Sequence, residues 1–374
     1  MSKILRGLRH PLESMKKIHK KIEFRQGIAG PIKVLNVQAC IACNLRCIMC
    51  FQHKALKPGS QAYTKMLDLS LFRKILDEIE PFHTEINLTG GEPMMHPKID
   101  EIIKEVKSRN LNLTITLNGF KLKEKAKMLV DENVDIISIS LDGREEINDK
   151  NRGNGSYKNA VEGLREVIKY RNECGKKLPK VKVNGTITEI TFPYFSDLAE
   201  IANDIGIDEL WLAHLLFYPQ KLIDEQIEWM NKYLKDCFDP DVLEAQAESF
   251  KNFVLAPNTP IDPEVVIEQK RILKDKISPK IPFSTLPNYS DDEIRRYYNP
   301  DYDSYKKNDG NVCLCSYRAL TLASTGDLAF CLGYNAGNIA NVNLADIWNN
   351  KRTRLFRKAI LKHGRFPLCQ RCCL

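Results

Sequence analysis

Cys40, Cys43, Cys47 and Cys50 stand within eleven residues, and the last three are spaced C-x3-C-x2-C. Thiolates at that spacing share one short loop and suit an iron–sulfur cluster or a zinc ion. Three ligands leave one iron of a four-iron cluster open to bind a substrate or cofactor directly, whereas structural zinc normally takes four. Cys40 falls outside the spacing and reads as a small buried residue at a strand end. A second group, Cys313, Cys315, Cys331, Cys369, Cys372 and Cys373, crowds the last 62 residues. Ser324-Thr325-Gly326-Asp327 separates strand-like stretches at 320–323 and 328–331, a hairpin pattern that brings Cys315 and Cys331 together. Cys369 and Cys372 offer a further pair on a tight loop, completing a closed four-thiolate site for which zinc is the competing occupant. Cys313 competes with Cys315 as first ligand, while Cys373, Cys174 and Cys237 read as unligated.

The elements that must position these thiols alternate in type. β-Rich runs fall at 33–38, 85–88, 112–117, 135–140, 180–188 and 209–213. Most are short apolar or β-branched stretches, as buried parallel strands require. Helical periodicity fills the gaps: Phe72, Ile75, Leu76 and Ile79 share one face after an N-cap at Ser70. Ile99, Ile102, Ile103 and Val106 share another, as do Val161, Leu164, Val167 and Ile168. Weaker helices fall near 121–131 and 195–205. Six β-then-α units imply a right-handed parallel sheet, open or curled into part of a barrel, with ligands at the C-terminal ends of its strands. The expected division is a basic amphipathic segment (1–32), the barrel (33–217), a helical and irregular connector (218–310) holding Trp229, Met230 and Tyr233, and a small α+β cysteine-rich module (311–374).

Polar residues follow successive strands. Thr89-Gly90-Gly91-Glu92-Pro93 comes after the second, Asn118-Gly119 after the third, and Ser138, Ser140 and Asp142-Gly143 at the fourth. Alone, each is a turn signal; in register with the cysteine loop they are similar to the motifs of the radical S-adenosylmethionine (SAM) superfamily, over roughly residues 33–214. The resemblance implies an α/β fold, a partial (β/α)6 TIM-like barrel. It implies a [4Fe–4S] cluster on Cys43, Cys47 and Cys50 that binds SAM, with Gly90, Gly91, Glu92 and Pro93 at the methionine amino group. Two glycines let a backbone approach its ligand closely, and a carboxylate suits an ammonium. Asn118, Ser140 and Asp142 would contact the ribose or carboxylate of SAM. Met49 stands where relatives often carry an aromatic residue, which leaves adenine packing open.

The C-terminal segment resembles the auxiliary-cluster modules called SPASM and twitch domains, and Gly337-Asn338-Ile339 and Leu344-Ala345-Asp346-Ile347-Trp348 fit that pattern. Because the sequence stops at Leu374, before the further cysteines of a two-cluster module, one auxiliary [4Fe–4S] cluster on Cys315, Cys331, Cys369 and Cys372 is expected. In such enzymes the reduced first cluster passes one electron to the sulfonium of SAM, and the resulting 5′-deoxyadenosyl radical abstracts a substrate hydrogen atom. A fully ligated auxiliary cluster would take an electron from the substrate radical.

Composition bounds the rest. No run approaches the roughly 18 apolar residues of a membrane span, and the basic N-terminus does not read as a signal peptide. Twelve cysteines without an export signal point to a reducing, cytoplasmic compartment and to metal ligation. Six of the eight excess positive charges lie in residues 1–30, so the remainder is nearly balanced and not a nucleic-acid binder. In that segment Leu12, Met15, Ile18 and Ile22 share a face opposite Lys16, Lys17, Lys20 and Lys21, which suits packing on the barrel or, as the competing reading, peripheral contact with an anionic membrane. The expected reaction is oxidation or rearrangement of a sugar, aminocyclitol or related small metabolite. Its alternatives are maturation of a ribosomally made peptide and modification of a lipid or lipid-linked substrate. A zinc-stabilised binding protein is the non-enzymatic alternative, disfavoured by the intact Thr89–Pro93 segment. A flavodoxin- or ferredoxin-type reductant is the expected partner. No catalytic acid or base is assigned; His214, at the end of the sixth strand, is placed on the side of the sheet suited to one but reads as a pocket or core histidine.

Overall fold

A computed structural model of the protein describes residues 21–50, 52, 63–238, 240–251, 260–299, 313–331 and 334–372. Leu12, Met15, Ile18 and their neighbouring lysines up to Lys20 lie outside the described residues, as does Cys373.

Strand β1 (Val34–Gln38) is followed by helix α1 (Leu69–Ile79), strand β2 (Glu85–Thr89), helix α2 (Ile99–Ser108), strand β3 (Leu113–Leu117), helix α3 (Leu122–Asp131) and strand β4 (Ile136–Ser140). Helices α4 (Glu145–Arg152) and α5 (Ser156–Glu173) lead to β5 (Lys180–Ile187), then α6 (Leu198–Ile205) to β6 (Glu209–His214). Three helices, α7 (Gln220–Tyr233), α8 (Pro240–Lys251) and α9 (Pro263–Lys276), precede strand β7 (Phe283–Leu286) and helix α10 (Asp291–Tyr297). The cysteine-bearing end holds α11 (Cys315–Arg318), strands β8 (Ala319–Leu322), β9 (Asp327–Ala329) and β10 (Asn335–Asn338), and helices α12 (Leu344–Trp348) and α13 (Lys351–His363).

All these strands form one sheet in the order β10-β9-β8-β1-β2-β3-β4-β5-β6-β7. The six expected strands run parallel as expected, and the sheet extends past both of their edges. β7 joins β6 in parallel, and β8 joins β1 in parallel with Val34 opposite Ala319 and Val37 opposite Leu322. Thus the stretch at 218–310 contributes a strand as well as helices, and the cysteine module is seated by the edge of β1, whose backbone groups would otherwise be bare. The expected hairpin is present, with Thr321 opposite Ala329 and Gly326 turning at φ +86°.

Alternation along the strands explains the two faces. Leu35, Val37, Ile86, Leu88, Leu113, Ile115, Ile137, Ile139, Val181, Val183, Leu210 and Leu212 are buried against the helical layer. That layer is supplied by the expected apolar faces, including Phe72, Ile75, Leu76 and Ile79 of α1. The N-cap of α1 is Asp68 rather than Ser70: its carboxylate accepts the backbone N–H of Ser70 at 2.8 Å and of Leu71 at 3.1 Å. A carboxylate is at least as good an acceptor as a hydroxyl at this position, and Ser70 is left to donate to it from the first turn. The opposite face lines the barrel and is polar, with Asn36, Asn87, Thr114, Thr116, Ser138, Lys182 and Asn184 on successive strands.

His214 continues the buried face of Leu210 and Leu212, so it points away from the barrel interior, contrary to the side read from sequence. Its Nδ1 lies 2.8 Å from the Tyr298 hydroxyl, and the rings of Tyr289 and Tyr297 pack on it. Burial holds its pKa down near 3, so it is a neutral core histidine. Residues 21–25 form helix that rests on the cysteine module, with Phe24 and Tyr317 rings 4.6 Å apart. Arg357 donates to the carbonyl of Gly27, and the Trp348 indole N–H to that of Gly30. No described helix is long and apolar enough to cross a membrane.

Candidate cluster and cofactor site

The cysteine loop leaves the C-terminal end of β1 and is held by many backbone contacts. The Tyr63 hydroxyl accepts the N–H of Cys43 at 3.0 Å and donates to the Cys43 carbonyl at 2.7 Å. Arg46 donates to the carbonyls of Cys43 and Leu45. Cys43 Sγ accepts the Leu45 N–H at 3.4 Å and lies 3.8 Å from Asn118 Nδ2. Cys43, Cys47 and Cys50 stand as electrostatic neighbours: burial first, then their mutual repulsion, raises the Cys43 and Cys47 thiols, Cys47 to about 11. The charge that opposes this at Cys47 is the guanidinium of Arg152. Cys40 is fully buried, with Sγ 3.1 Å from the Glu92 carbonyl, and is pushed up to about 12 by burial. It sits behind the loop, as a core residue would.

The glycines pass closely against the cysteine loop. Gly90 has φ +140°, and a Cβ there would lie 2.4 Å from the Cys40 carbonyl oxygen. A Cβ on Gly91 would lie 2.2 Å from the carbonyl oxygen of Ile41 and 2.3 Å from that of Ala42. Both positions therefore need glycine so that the segment after β2 can pass against the cysteine loop, to which Gly91 and Glu92 donate backbone hydrogen bonds. The carboxylate of Glu92 points inward. It accepts the N–H of Met94 at 3.0 Å and of Asn118 at 2.7 Å, and burial raises its pKa to about 7. Pro93 opens a short 3-10 turn at 93–95.

Asn118 joins the two layers: its side chain donates to Asn44 Oδ1 at 2.8 Å and accepts the Phe120 N–H. Asp142 is wholly buried and engaged. It pairs with Arg152 at 2.6 and 2.8 Å, and accepts from Asn151 Nδ2 and the Thr186 N–H. Asp142 thereby fixes Arg152 beside Cys47. Sequence reasoning missed Arg152, whose signal was only a basic residue ending α4; its partners become visible once α4 folds back over the ends of β4 and β5. Ser140 stands opposite Asn184 on the interior face. Asn184 donates to Ser138 through Nδ2, while its buried Oδ1 has no hydrogen-bond partner among the described residues.

The second thiol group is gathered as well. The Cys331 thiol is raised well above its ordinary range by burial and then by Cys369, Cys315, Cys313 and Cys372, so these five cysteines lie in one neighbourhood. Burial pushes Cys369 to about 12 and Cys315 to about 11, each with Cys313 and Cys372 as neighbours. Cys237 and Cys174 stand outside both groups, one buried and one exposed. Among the described residues no three Cys, His, Asp or Glu side chains converge on one metal-ion position. The donor sets fit iron–sulfur clusters in kind, being thiols gathered on loops. On the interior face of β5, the orphaned Asn184 oxygen can accept from a hydroxyl such as a ribose carries.

Residues 39–178 match the Radical SAM superfamily and residues 307–373 match the SPASM iron-sulfur cluster-binding domain. The chain is 28% identical over 359 residues to a "tungsten-containing aldehyde ferredoxin oxidoreductase cofactor-modifying protein" of Pyrococcus furiosus, covering 92% of this chain and 88% of that one. It is 27% identical over 187 residues to the mycofactocin maturase MftC of Mycobacterium tuberculosis, which is 49% of this chain and 45% of the relative. The fold superposes on Streptococcus suis SuiB bound to S-adenosylmethionine with a TM-score of 0.62 at 15% identity, over 97% of this chain and 78% of that one. The chain carries a Radical SAM domain at residues 39–178 and a SPASM domain at residues 307–373, and with them the chemistry of an enzyme of S-adenosylmethionine and a [4Fe–4S] cluster with auxiliary iron–sulfur binding.

Proposed function

We propose that this enzyme is a maturase that modifies a cofactor precursor by hydrogen-atom abstraction. The observation that carries the reading is the match to the Pyrococcus furiosus cofactor-modifying protein, which runs through barrel, connector and cysteine module alike. A ribosomally made peptide is the second reading, favoured by the likeness to MftC. The sugar or aminocyclitol expectation and the lipid expectation have no comparable support.

When bound, the first cluster and SAM supply a 5′-deoxyadenosyl radical able to take hydrogen from an unactivated carbon. This chain's residues do the rest. Cys43, Cys47 and Cys50 hold that cluster, and the Asn118 amide stabilises thiolate charge at Cys43 by donating towards its sulfur. Arg152 supplies a fixed positive charge at Cys47, held in place by Asp142. Gly90, Gly91 and Pro93 shape the cradle against the cysteine loop, and Glu92 braces it to the end of β3 so that backbone groups face SAM. Ser140 and Asn184 present their polar atoms to the ribose or carboxylate of SAM. Cys315, Cys331, Cys369 and Cys372 would hold one auxiliary cluster, and the chemistry it would supply is one-electron transfer. A flavodoxin- or ferredoxin-type protein delivers electrons.

The test uses the anaerobically reconstituted enzyme with SAM and dithionite. Low-mass and peptide fractions from cells lacking the gene are added separately, and 5′-deoxyadenosine is measured. Stimulation by the low-mass fraction supports the cofactor reading, and stimulation by the peptide fraction alone moves the assignment to a peptide. Absence of 5′-deoxyadenosine under every condition ends both.

A further inference from the structure

The cysteine module presents a basic face away from both thiol groups. Helix α13 carries six lysines and arginines and no acid. Of these, Arg357 turns inward and is buried, while Lys351 and Arg352 stand at the positive end of the helix dipole, where cations are disfavoured. Helix stability therefore does not account for the charge. Between α13, the helix of residues 21–25 and the end of α7 lies a recess of about 670 Å³. Lys21, Arg25, Lys358 and Lys362 line it and are exposed, and Asp236 is the one acid among its described lining residues. None of these four cations has an ion-pair partner among the described residues. Asp224 and Glu228 stand apart, lining a separate recess with Lys232.

Packed rings join the basic recess to the auxiliary thiols. His363 and Tyr233, both on its wall, stack with centroids 4.1 Å apart. Tyr233 packs edge-on to Trp229 at 5.2 Å, and Trp229 to Phe366 at 4.8 Å. The Phe366 carbonyl then accepts the Cys369 N–H at 2.9 Å. Electrons tunnel more readily through bonded and packed atoms than through water. A molecule seated on this face is thus coupled to Cys369 along a path with no solvent gap. A membrane would use the charge but not the path.

We propose that this face docks an acidic one-electron carrier protein, which exchanges electrons with the auxiliary cluster. Four cations spread around the rim of a recess call for several carboxylates on a folded surface, whereas one small anion would need them to converge. Electron-transfer encounters are small, below about 1,200 Å² of buried surface, and are steered by charge, so a compact basic face suffices. In the step itself one electron leaves the reduced cluster and enters the oxidised carrier. Where the carrier holds a flavin, that flavin also takes a solvent proton and becomes the neutral semiquinone. The inference rests on the auxiliary-cluster part of the proposed function and is independent of which substrate is modified.

The probe is oxidised flavodoxin. It is mixed by stopped flow with full-length Cys50→Ala protein that has been reconstituted anaerobically, reduced with dithionite and freed of excess reductant, so that the auxiliary cluster is the donor. Semiquinone absorbance is followed at low and high salt. The expected bimolecular rate falls about tenfold or more on adding salt, and by a similar factor at low salt in Lys358→Glu/Lys362→Glu and in Lys21→Glu/Arg25→Glu. Lys104→Glu/Lys158→Glu, on α2 and α5, should stay within about twofold of the parent, and every variant should keep the parent circular dichroism. Undiminished rates in both recess variants, an equal loss in Lys104→Glu/Lys158→Glu, or no semiquinone at all would overturn the assignment. So would rates that persist while the recess variants cease to co-sediment with vesicles of equimolar phosphatidylserine and phosphatidylcholine, which would give the face to a membrane. No SAM or substrate is present, so such a failure leaves the fraction-stimulated 5′-deoxyadenosine assay untouched. Cys50→Ala protein that binds no iron or sulfide would instead end the auxiliary-cluster reading, and this inference with it.

Discussion

Arg152 and Asp142 show how much a single buried pair decides. Arg152 is almost fully buried, and its charge is tolerable there because Asp142 meets it with two hydrogen bonds. Removing one partner from such a pair strands the other. Asp142→Asn should therefore destabilise the protein by about 3 kcal/mol in urea unfolding, and it should also weaken cluster retention by freeing Arg152 from Cys47. At the same scale, Cys50→Ala should abolish 5′-deoxyadenosine formation and lower bound iron by about half while the SPASM iron remains; iron and sulfide assays check both. Glu92 gives a pH signature. Burial raises its pKa from 4.5 to about 7 in the folded chain, so its contribution to stability is complete below about 4.5 and is lost as the pH rises through about 7. Over that window the apoprotein should lose up to about 3 kcal/mol from this group, and comparison with Glu92→Gln should show the slope flattened.

At the scale of elements, the segment after β2 and the cysteine loop are built as one unit. A methyl group on Gly91 would enter two carbonyl oxygens of the loop, neither of which can swing away as a side chain could. Gly91→Ala should displace the loop, with loss of SAM binding and of the first cluster measured by equilibrium dialysis and electron paramagnetic resonance, and with a stability loss of about 2 kcal/mol or more. The same logic explains Asn118, which is tied to Glu92 through its backbone, to Asn44 through its amide and to Phe120 through its carbonyl oxygen. Three strand ends are thereby locked together before any cofactor arrives, which is the preorganisation a radical site needs to keep geometry fixed.

At the scale of the molecule, the SPASM domain shares the barrel's sheet. β8 caps the edge of β1, and Arg357 knits the module from within, bonding to Ser316, Gly27 and Asn349 while its guanidinium faces Tyr317, Phe330 and Trp348. Desolvation lowers its pKa only to about 10, so it remains a cation at neutral pH. A chain ended after residue 312 would bare β1 and the surface under Phe24, and should be recovered as aggregate; sedimentation of the shortened and full chains decides it. Joining the two iron–sulfur regions through one sheet also fixes their separation, which an electron-transfer role for the auxiliary cluster demands.

The chemistry was legible in the order of residues because thiol spacing, glycine pairs and strand-end polar residues are local signals: C-x3-C-x2-C, Gly90-Gly91 and the hairpin at Gly326 each act within a few positions. The parallel core was legible for the same reason, since alternating apolar periods are short-range. What each polar group touches was not. Glu92 and Asp142 read as ligand contacts, and the order of residues did not show that their carboxylates also meet backbone N–H groups and Arg152. His214 read as a hydrogen-bonded pocket or core histidine placed on the reacting side; it is a core histidine, but strand alternation buries it among tyrosines on the other side. β8 pairing with β1, and Lys182 meeting Trp211 on the interior face of the sheet, join residues distant in the chain. Such contacts depend on register and on sheet closure, and only three-dimensional packing sets those.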